Sequence, residues 1–137
     1  MQTPPGFATL TPYLFVTGAA RFIAFLAEAF GAEEIGRSTL PDGRIVHAQL
    51  RLGDAMLMAS EAVERYPAMP GSFYLYVTDA DAALARALAA GARLELEVAD
   101  MPYGDRQGGV RDPFGNLWWI SQRLVDAPYY PGSSGTE

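Results

Sequence analysis

Apolar and polar residues alternate along most of this chain, whereas two stretches show helical spacing. Alternation with a period of two is typical of strands, and apolar residues three and four positions apart are typical of a helix. The pattern predicts helices over residues 19–30 and 80–90, which end at Gly31 and Gly91. It predicts strands over residues 9–17, 33–39, 44–52, 55–60, 72–78, 93–98 and 116–122, with one more strand between Tyr103 and the turn at Asp112.

The second half of the chain repeats the order of elements in the first half. YLFVT at residues 13–17 matches YLYVT at 74–78, and the dipeptide Gly-Ala recurs at 31–32 and 91–92. Each half is therefore predicted as a strand–helix–strand–strand–strand module, over residues 9–61 and 72–123. A linker over 62–71 joins the modules, and a mobile tail covers 124–137. A half-unit of roughly 50 residues buries too little surface to be stable alone, so the two modules are expected to pack together.

The segment 103–123 closes the second module with a tight turn, Asp112-Pro113-Phe114-Gly115. Proline fixes φ at such a turn, and glycine allows a positive φ. Trp118 and Trp119 follow in the last strand, and adjacent strand residues point to opposite faces of a sheet. One tryptophan is therefore expected in the core under the helices and the other on the second face of the sheet.

The composition narrows the classes of function. The chain has 137 residues, no cysteine, and a net charge of −6 from 10 basic and 16 acidic residues. Disulfides and thiolate metal sites are therefore excluded. An acidic chain without a basic cluster argues against nucleic acid and anionic membranes as partners, and it favours a cationic ligand. No apolar run reaches the roughly 18 residues of a membrane span, and no signal peptide is recognisable, so a cytoplasmic protein is expected.

Several motifs resemble the vicinal oxygen chelate superfamily, which includes glyoxalase I, bleomycin-resistance proteins, fosfomycin-resistance enzymes and extradiol dioxygenases. Beside the doubled βαβββ pattern, they are PDGRIVHAQLRLGD at residues 41–54, YLYVTDADA at 74–82, and YGDR at 103–106 with the DPFGN turn at 112–116. The nearest resemblance is to the PhnB-like branch, over residues 10–122. It implies an α+β fold in which two tandem βαβββ modules form a curled mixed sheet around a cavity, with helices outside. It also implies a homodimer.

The resemblance also indicates where a metal would bind. Metal enzymes of this superfamily carry His or Gln on the first strand of each module and Glu on the last strand of one or both. Those positions fall here on Thr11, Ser72, Trp119 and Leu57. None of the four is a usual ligand of a catalytic divalent metal, and the only histidine, His47, lies on a different strand. The sequence therefore predicts a protein without the family metal and without a cofactor.

Strand alternation assigns each strand residue to one face of its sheet. The predicted helix side is purely apolar, and it comprises Leu14, Val16, Val46, Ala48, Leu50, Met56, Met58, Phe73, Leu75, Val77, Trp118 and Ile120. The predicted cavity side mixes aromatic and polar residues, and it comprises Thr11, Tyr13, Phe15, Ile45, His47, Gln49, Leu57, Ser72, Tyr74, Tyr76, Trp119 and Ser121. Mostly apolar walls with a few polar groups are typical of a small-molecule pocket.

The candidate ligand-binding residues are Tyr13, Phe15, His47, Gln49, Leu57, Tyr74, Tyr76, Arg106 and Trp119, and His47 is the candidate catalytic residue. Each also has a structural interpretation. His47 either transfers protons or is hydrogen-bonded within the sheet. The tyrosines either grip an aromatic or cationic ligand or fill the interior. Asp105 and Arg106 are read as a salt bridge that shapes the rim of the cavity.

Three hypotheses for function remain. The favoured one is a metal-free protein that binds an aromatic or cationic small molecule, in the manner of bleomycin-resistance proteins. The second is a lyase, isomerase or dioxygenase-type enzyme, either metal-dependent or with His47 as general base. The third is a structural module whose interior is simply filled.

Overall fold

Two βαβββ modules follow one another in the structure, a computed structural model that describes residues 1–132. The first module consists of β1 (Tyr13–Val16), α1 (Ala19–Phe30), β2 (Glu33–Thr39), β3 (Ile45–Leu52) and β4 (Ala55–Glu61). The second consists of β5 (Ser72–Tyr76), α2 (Ala80–Ala89), β6 (Arg93–Asp100), β7 (Asp105–Arg111) and β8 (Leu117–Arg123). The predicted α+β class and the duplicated order of elements are confirmed.

Each module forms its own four-stranded mixed sheet, with strand orders β1-β4-β3-β2 and β5-β8-β7-β6. The first strand of a module runs parallel to the last, and the other neighbours are antiparallel. Tyr13 pairs with Met58 in the first sheet, and Tyr74 pairs with Trp119 in the second. Since Tyr13 and Tyr74 occupy the same place in the repeat, Met58 is the structural counterpart of Trp119.

The two modules are joined through their helices. Helices α1 and α2 pack against each other, and the ring of Phe30 on α1 lies 4.9 Å from that of Trp118 on β8. Phe114, in the turn between β7 and β8, makes an edge-on contact with Phe22 of α1 at 5.4 Å. One continuous apolar core therefore runs through the helix sides of both sheets.

The opposite face of each sheet points away from the helices and stays uncovered by the chain's own helices. We call these the first open face, with Tyr13, Phe15, His47, Gln49 and Met58, and the second open face, with Tyr74, Tyr76, Asp105, Gln107 and Trp119. The exposed fractions of Tyr13, Tyr74 and Tyr76 are 44%, 46% and 52%. Within residues 1–132, the two open faces do not enclose a common cavity, because the modules meet on their other sides.

The last strand of each module supports the first turn of its helix. Both carboxylate oxygens of Glu61 accept hydrogen bonds at 2.9 Å, from the backbone N–H groups of Gly18 and Ala19. In the second module, Oε1 of Gln122 accepts the N–H of Ala80 at 3.0 Å. The free N–H groups at a helix start need such acceptors, so the duplication extends to this contact.

The boundaries of several strands differ from those predicted. β1 begins at Tyr13 rather than at residue 9, because Pro12 has no N–H to donate to a sheet. β5 ends at Tyr76, and β4 and β6 extend to Glu61 and Asp100.

Residues 124–132 form neither helix nor strand, but they contact the second module. The N–H of Leu124 donates to the carbonyl of Gly104 at 2.9 Å, and Nη2 of Arg123 donates to the carbonyl of Ala127 at 2.6 Å. The mobility of this tail stays a prediction, and residues 133–137 lie outside the described residues. No described helix has the length and apolarity required to cross a membrane.

Candidate functional site

Three aromatic rings form a ladder on the first open face. The ring of Phe15 stacks on Tyr13, with 5.1 Å between centroids and 24° between planes, and on Tyr66 at 5.4 Å and 15°. Tyr13 and Phe15 alternate on β1 with the core residues Leu14 and Val16, and Tyr66 comes from the linker after β4. The ladder lines a cavity of about 600 Å³. This volume and these apolar walls are those of a small-molecule site.

His47 lies next to this ladder and is held by two neighbours. Its Nδ1 is 3.4 Å from the hydroxyl of Tyr13, and its Nε2 is 3.2 Å from Nε2 of Gln49. The imidazole also meets the Tyr13 ring edge-on at 5.5 Å. The structure therefore brings together four of the predicted site residues, Tyr13, Phe15, His47 and Gln49.

The polar groups that border the cavity include Arg44, Ser60 and Glu61. Glu61 is committed to the start of α1 through both of its carboxylate oxygens. The guanidinium of Arg44 is only loosely paired, with Nη2 at 3.8 Å from Oδ2 of Asp42. Of the two charged residues at this cavity, Arg44 therefore makes the longer and weaker contact with its partner.

The second open face is dominated by tyrosines around a buried carboxylate. Tyr74, Tyr76, Tyr103, Tyr129 and Tyr130 line a cavity of about 430 Å³. Asp105 at the start of β7 is completely buried, and it accepts the hydroxyl groups of Tyr74 and Tyr129, both at 2.5 Å, and Nη1 of Arg123 at 3.0 Å. Tyr74 and Tyr76 contact each other at 5.3 Å between ring centroids.

These contacts shift the pKa values of the groups involved. Burial raises the pKa of Asp105, but the hydrogen bonds from Tyr129, Tyr74 and Arg123 more than offset it, so this pKa lies below its ordinary value. Burial and the hydrogen bond to Asp105 raise the pKa of the Tyr74 hydroxyl, and the same two causes raise that of Tyr129. Around neutral pH, the site therefore holds an ionised carboxylate and protonated phenols.

Trp119 lies across from Tyr74 on the second open face. Its Nε1 donates to Oγ of Ser72 at 3.1 Å. A side chain at the neighbouring Gly109 would bring its Cβ within 3.1 Å of the Trp119 ring, so the glycine leaves room for the indole. As predicted for the two tryptophans, Trp118 points to the other side, where it is 2% exposed and donates Nε1 to Asp112 at 2.9 Å.

The predicted faces of β4 are wrong. Leu57 pairs with the buried Leu50 and is itself in the core at 6% exposure, whereas Met58 lies on the open face between Tyr13 and Gln49. The error arises from aligning the modules on the turns Gly53-Asp54 and Gly115-Asn116. These turns differ in length, and a shift of one residue moves every side chain of a strand to the other face. Leu57 therefore lies outside the first open face, and Met56 and Met58 are not helix-facing.

The predicted faces at the start of β3 are also wrong. Ser38 pairs with His47 and Thr39 with Ile45, so Val46 is an extra residue in the ladder. Such a β-bulge reverses the alternation locally. Ile45 consequently joins the core, and Val46 is exposed and lines the first cavity.

Arg106 does not pair with Asp105 and does not face a cavity. It points to the helix side, where its guanidinium donates to Asp81 of α2 at 2.7 and 3.0 Å and to Asp100 at 2.9 Å. The partner of Asp105 is Arg123, which lies two positions beyond Ser121, the last residue of the predicted cavity side. The predicted salt bridge between Asp105 and Arg106 is therefore corrected to two separate interactions.

The side chains at the positions of the family metal do not fit a divalent cation. Thr11 precedes β1, Ser72 and Trp119 are hydrogen-bonded to each other, and the corrected fourth position holds the thioether of Met58. Imidazole and carboxylate donors are missing from all four positions. Within residues 1–132, no three His, Asp or Glu side chains cluster in a way that could hold a metal ion.

The sequence did not predict Tyr66, Arg123 and Tyr129 as members of the two faces, and it placed Asp105 at the rim of the cavity rather than on the second open face. Tyr66 and Tyr129 lie in irregular segments, which carry no periodic signal. Asp105 had a usable signal, because it alternates with Gln107 on β7, and Gln107 donates to Oγ of the cavity-side residue Ser121 at 2.8 Å.

The sequence comparisons support one assignment of family. The profile of the Glyoxalase/Bleomycin resistance protein/Dioxygenase superfamily matches residues 7–120. An uncharacterised protein of Mycobacterium bovis is 39% identical over 124 residues, which cover 82% of this chain and 82% of that protein.

Solved structures show the same fold. TioX from Micromonospora sp. ML1 superposes with a TM-score of 0.74 at 29% identity, covering 85% of this chain and 99% of TioX. The PhnB protein from Bacillus cereus has a TM-score of 0.69 at 19% identity, covering 84% and 99%. TnmS3, an antibiotic binding protein from Streptomyces sp. CB03234, has a TM-score of 0.66 at 21% identity, covering 85% and 97%. With its duplicated modules and its matching profile, the chain belongs to the Glyoxalase/Bleomycin resistance protein/Dioxygenase superfamily.

Proposed function

We propose that this protein binds a planar aromatic small molecule on the first open face, and that it does so without a metal. The observation that carries the proposal is the stacked ladder of Tyr13, Phe15 and Tyr66 along a cavity of about 600 Å³. A flat ring that continues the ladder gains both buried apolar area and favourable stacking geometry. A positive charge on the ligand adds cation–π attraction to these rings, in keeping with the net charge of −6.

The family and the donor set support binding rather than metal chemistry. The superfamily includes bleomycin resistance proteins, and TnmS3, which shares the fold, is an antibiotic binding protein. The four metal positions offer hydroxyl, indole and thioether groups in place of imidazole and carboxylate. A protein with these side chains sequesters its ligand instead of polarising it.

We also propose that the protein is a homodimer in which a second copy covers the open faces. Tyr13, Tyr66, Tyr74 and Tyr76 are all about half exposed in the single chain. Aromatic groups exposed in such clusters mark interaction surfaces. Sedimentation equilibrium at micromolar concentration checks this, and a single monomeric species would contradict it.

Isothermal titration with proflavine, a planar cation, and 9-anthracenecarboxylate, a planar anion, tests the ligand class. We expect Phe15→Leu to weaken binding about tenfold, because the middle ring of the ladder is lost. The control is Arg37→Ala, which removes only an exposed ion pair with Glu34. If no compound in a broad panel of planar aromatics binds, or if purified protein holds a transition metal at one equivalent, the proposal fails.

A second candidate function is favoured by the contacts of His47. An imidazole held between Tyr13 and Gln49, beside the aromatic ladder that lines the first cavity, is an arrangement that suits a general base. If the protein converts its ligand, His47→Gln should abolish turnover while it leaves ligand affinity within a few-fold. An activity that survives His47→Gln would exclude this second function.

A further inference from the structure

The buried carboxylate of Asp105 has no role in binding on the first open face. It lies on the second open face, where Oδ1 accepts Arg123 and Oδ2 accepts the hydroxyls of both Tyr74 and Tyr129. Tyr74 and Arg123 belong to strands β5 and β8 and are fixed by the sheet. The third donor is different, because Tyr129 comes from the irregular segment 124–132.

The side chain of Tyr129 packs on the second open face through its hydroxyl group and its ring. Its hydroxyl donates to Asp105 and meets the hydroxyl of Tyr76, and the guanidinium carbon of Arg123 lies 4.2 Å from its ring centroid. Yet 43% of Tyr129 remains exposed, and Tyr130 beside it is 76% exposed. A side chain that is only half buried and follows an irregular segment is held by few contacts and can be exchanged for another group.

The environment of Tyr129 defines what could replace it. Asp105 offers an ionised acceptor, which forms strong charge-assisted hydrogen bonds with O–H donors. The guanidinium of Arg123 offers a flat cationic surface for an aromatic ring. A cation gains little here, since Arg123 already neutralises Asp105 at 3.0 Å. The matching group is therefore an uncharged aromatic ring that carries a hydroxyl.

We propose that Asp105 anchors a phenolic hydroxyl of an aromatic ligand, and that Tyr129 occupies this place in the free protein. The inference goes beyond the proposed function, because it assigns a second aromatic site that lies on the second open face, apart from the cavity of about 600 Å³ on the first. As a tethered group, Tyr129 competes with the ligand at a high effective concentration. The apparent affinity is then reduced in proportion to the fraction of molecules in which the site is free.

Two naphthalene derivatives separate the hydroxyl donor from the ring. We expect 2-naphthol to bind at least about fivefold more tightly than 2-methoxynaphthalene at pH 7, since only naphthol can donate to Asp105. Tyr129→Phe keeps the ring but removes the hydroxyl that occupies Asp105. If Tyr129 occupies the site nine-tenths of the time and the variant leaves the site free, the variant binds 2-naphthol about tenfold more tightly. Asp105→Asn should reduce the preference for naphthol over its methyl ether.

Isothermal titration measures these affinities, and the outcomes distinguish the two proposals. Equal binding of both compounds to wild type and to Tyr129→Phe overturns this inference and leaves the proposed function intact. An unchanged affinity in Tyr129→Phe overturns the role of Tyr129. If proflavine binds but neither naphthalene compound does, this inference alone is wrong, and if no planar compound binds, both are. Tyr129→Phe keeps the test decisive should Asp105→Asn fail to fold, because Tyr129 lies outside the core.

Discussion

Tyr13 and Tyr74 occupy equivalent places on the two open faces, yet their hydroxyl groups meet different partners. Tyr13 lies 3.4 Å from Nδ1 of His47, whereas Tyr74 donates to the carboxylate of Asp105 at 2.5 Å. The first open face leaves a cavity of about 600 Å³ beside its aromatic ladder. On the second open face, the tail residue Tyr129 contacts the cluster of tyrosines and donates its hydroxyl to Asp105. The duplicated first strands place aromatic rings at the same positions of both faces, and the partners on neighbouring elements give each face its chemistry.

The two central strands of each sheet also differ between the modules in the side chains that pair across them. Gln49 pairs with Met58 in the first sheet, and Gly109 pairs with Trp119 in the second. The first module thus carries a long polar side chain beside a flexible apolar one, and the second carries no side chain beside an indole. A duplicated backbone tolerates this exchange because the open face is not part of the common core, where volume must be conserved.

The largest expected effect separates the two sides of the second sheet. Trp118→Ala should lower the free energy of unfolding by about 3–5 kcal/mol, because it empties a core site and leaves Asp112 without one donor. Trp119→Ala, one residue later, should cost less than about 1 kcal/mol. Urea unfolding of both variants measures the difference. Similar losses would mean that the second open face is as essential to stability as the core.

The corresponding pair in the first module is Leu57 and Met58. Leu57→Ala should cost about 2–4 kcal/mol, since the side chain is in the core between the sheet and α1. Met58→Ala should cost roughly 1 kcal/mol or less. The same urea experiment applies, with the Trp118 and Trp119 variants as the matched set. A larger loss for Met58 than for Leu57 would restore the face assignment that the sequence pattern suggested.

Those two pairs also show which features of the fold could be predicted from the sequence and which could not. The helices and the repeated order were predictable, because Gly31, Gly91 and the helical stripes are local signals. The opposite orientations of Trp118 and Trp119 were predictable, because adjacent residues of a strand point to opposite faces of the sheet. The face of Leu57 was not, since it depends on the relative length of two turns, and the bulge at Val46 has no local signature.

The members of the two faces that come from irregular segments were beyond prediction for a different reason. Tyr66 stacks on Phe15 from the linker, and Tyr129 reaches Asp105 across 24 positions in the sequence. Neither segment has a hydrophobic period, so nothing in the sequence links these residues to the strands. Such contacts depend on the path of the chain over an already folded sheet.

Acid should weaken the second open face through its buried carboxylate, Asp105. The groups that face Asp105 are Tyr74 on β5, Arg123 on β8 and Tyr129 in the tail, and below neutral pH none of these three changes its charge. Because the pKa of Asp105 is lower in the folded protein, its contribution to stability is complete above the unfolded value of about 4 and is lost as the pH falls through the folded value. The free energy of unfolding should therefore fall less between pH 7 and pH 3 in Asp105→Asn than in wild type. Parallel curves would show that Asp105 is not held by these contacts.

The smallest expected effect concerns the helix starts, where the modules differ by one charge. Glu61 places a carboxylate at the N-terminus of α1, and Gln122 places a neutral amide at that of α2. A negative charge there is stabilised by the helix dipole by about 0.3–1 kcal/mol. Glu61→Gln should lose that amount, and Gln122→Glu should gain a similar amount in α2, which already has Asp79 as N-cap. Thermal unfolding at low and high salt compares the two variants, because screening should shrink both changes. If Gln122→Glu is instead destabilising, repulsion from Asp79 and Asp81 outweighs the dipole, and the neutral residue at this position of the second module is explained.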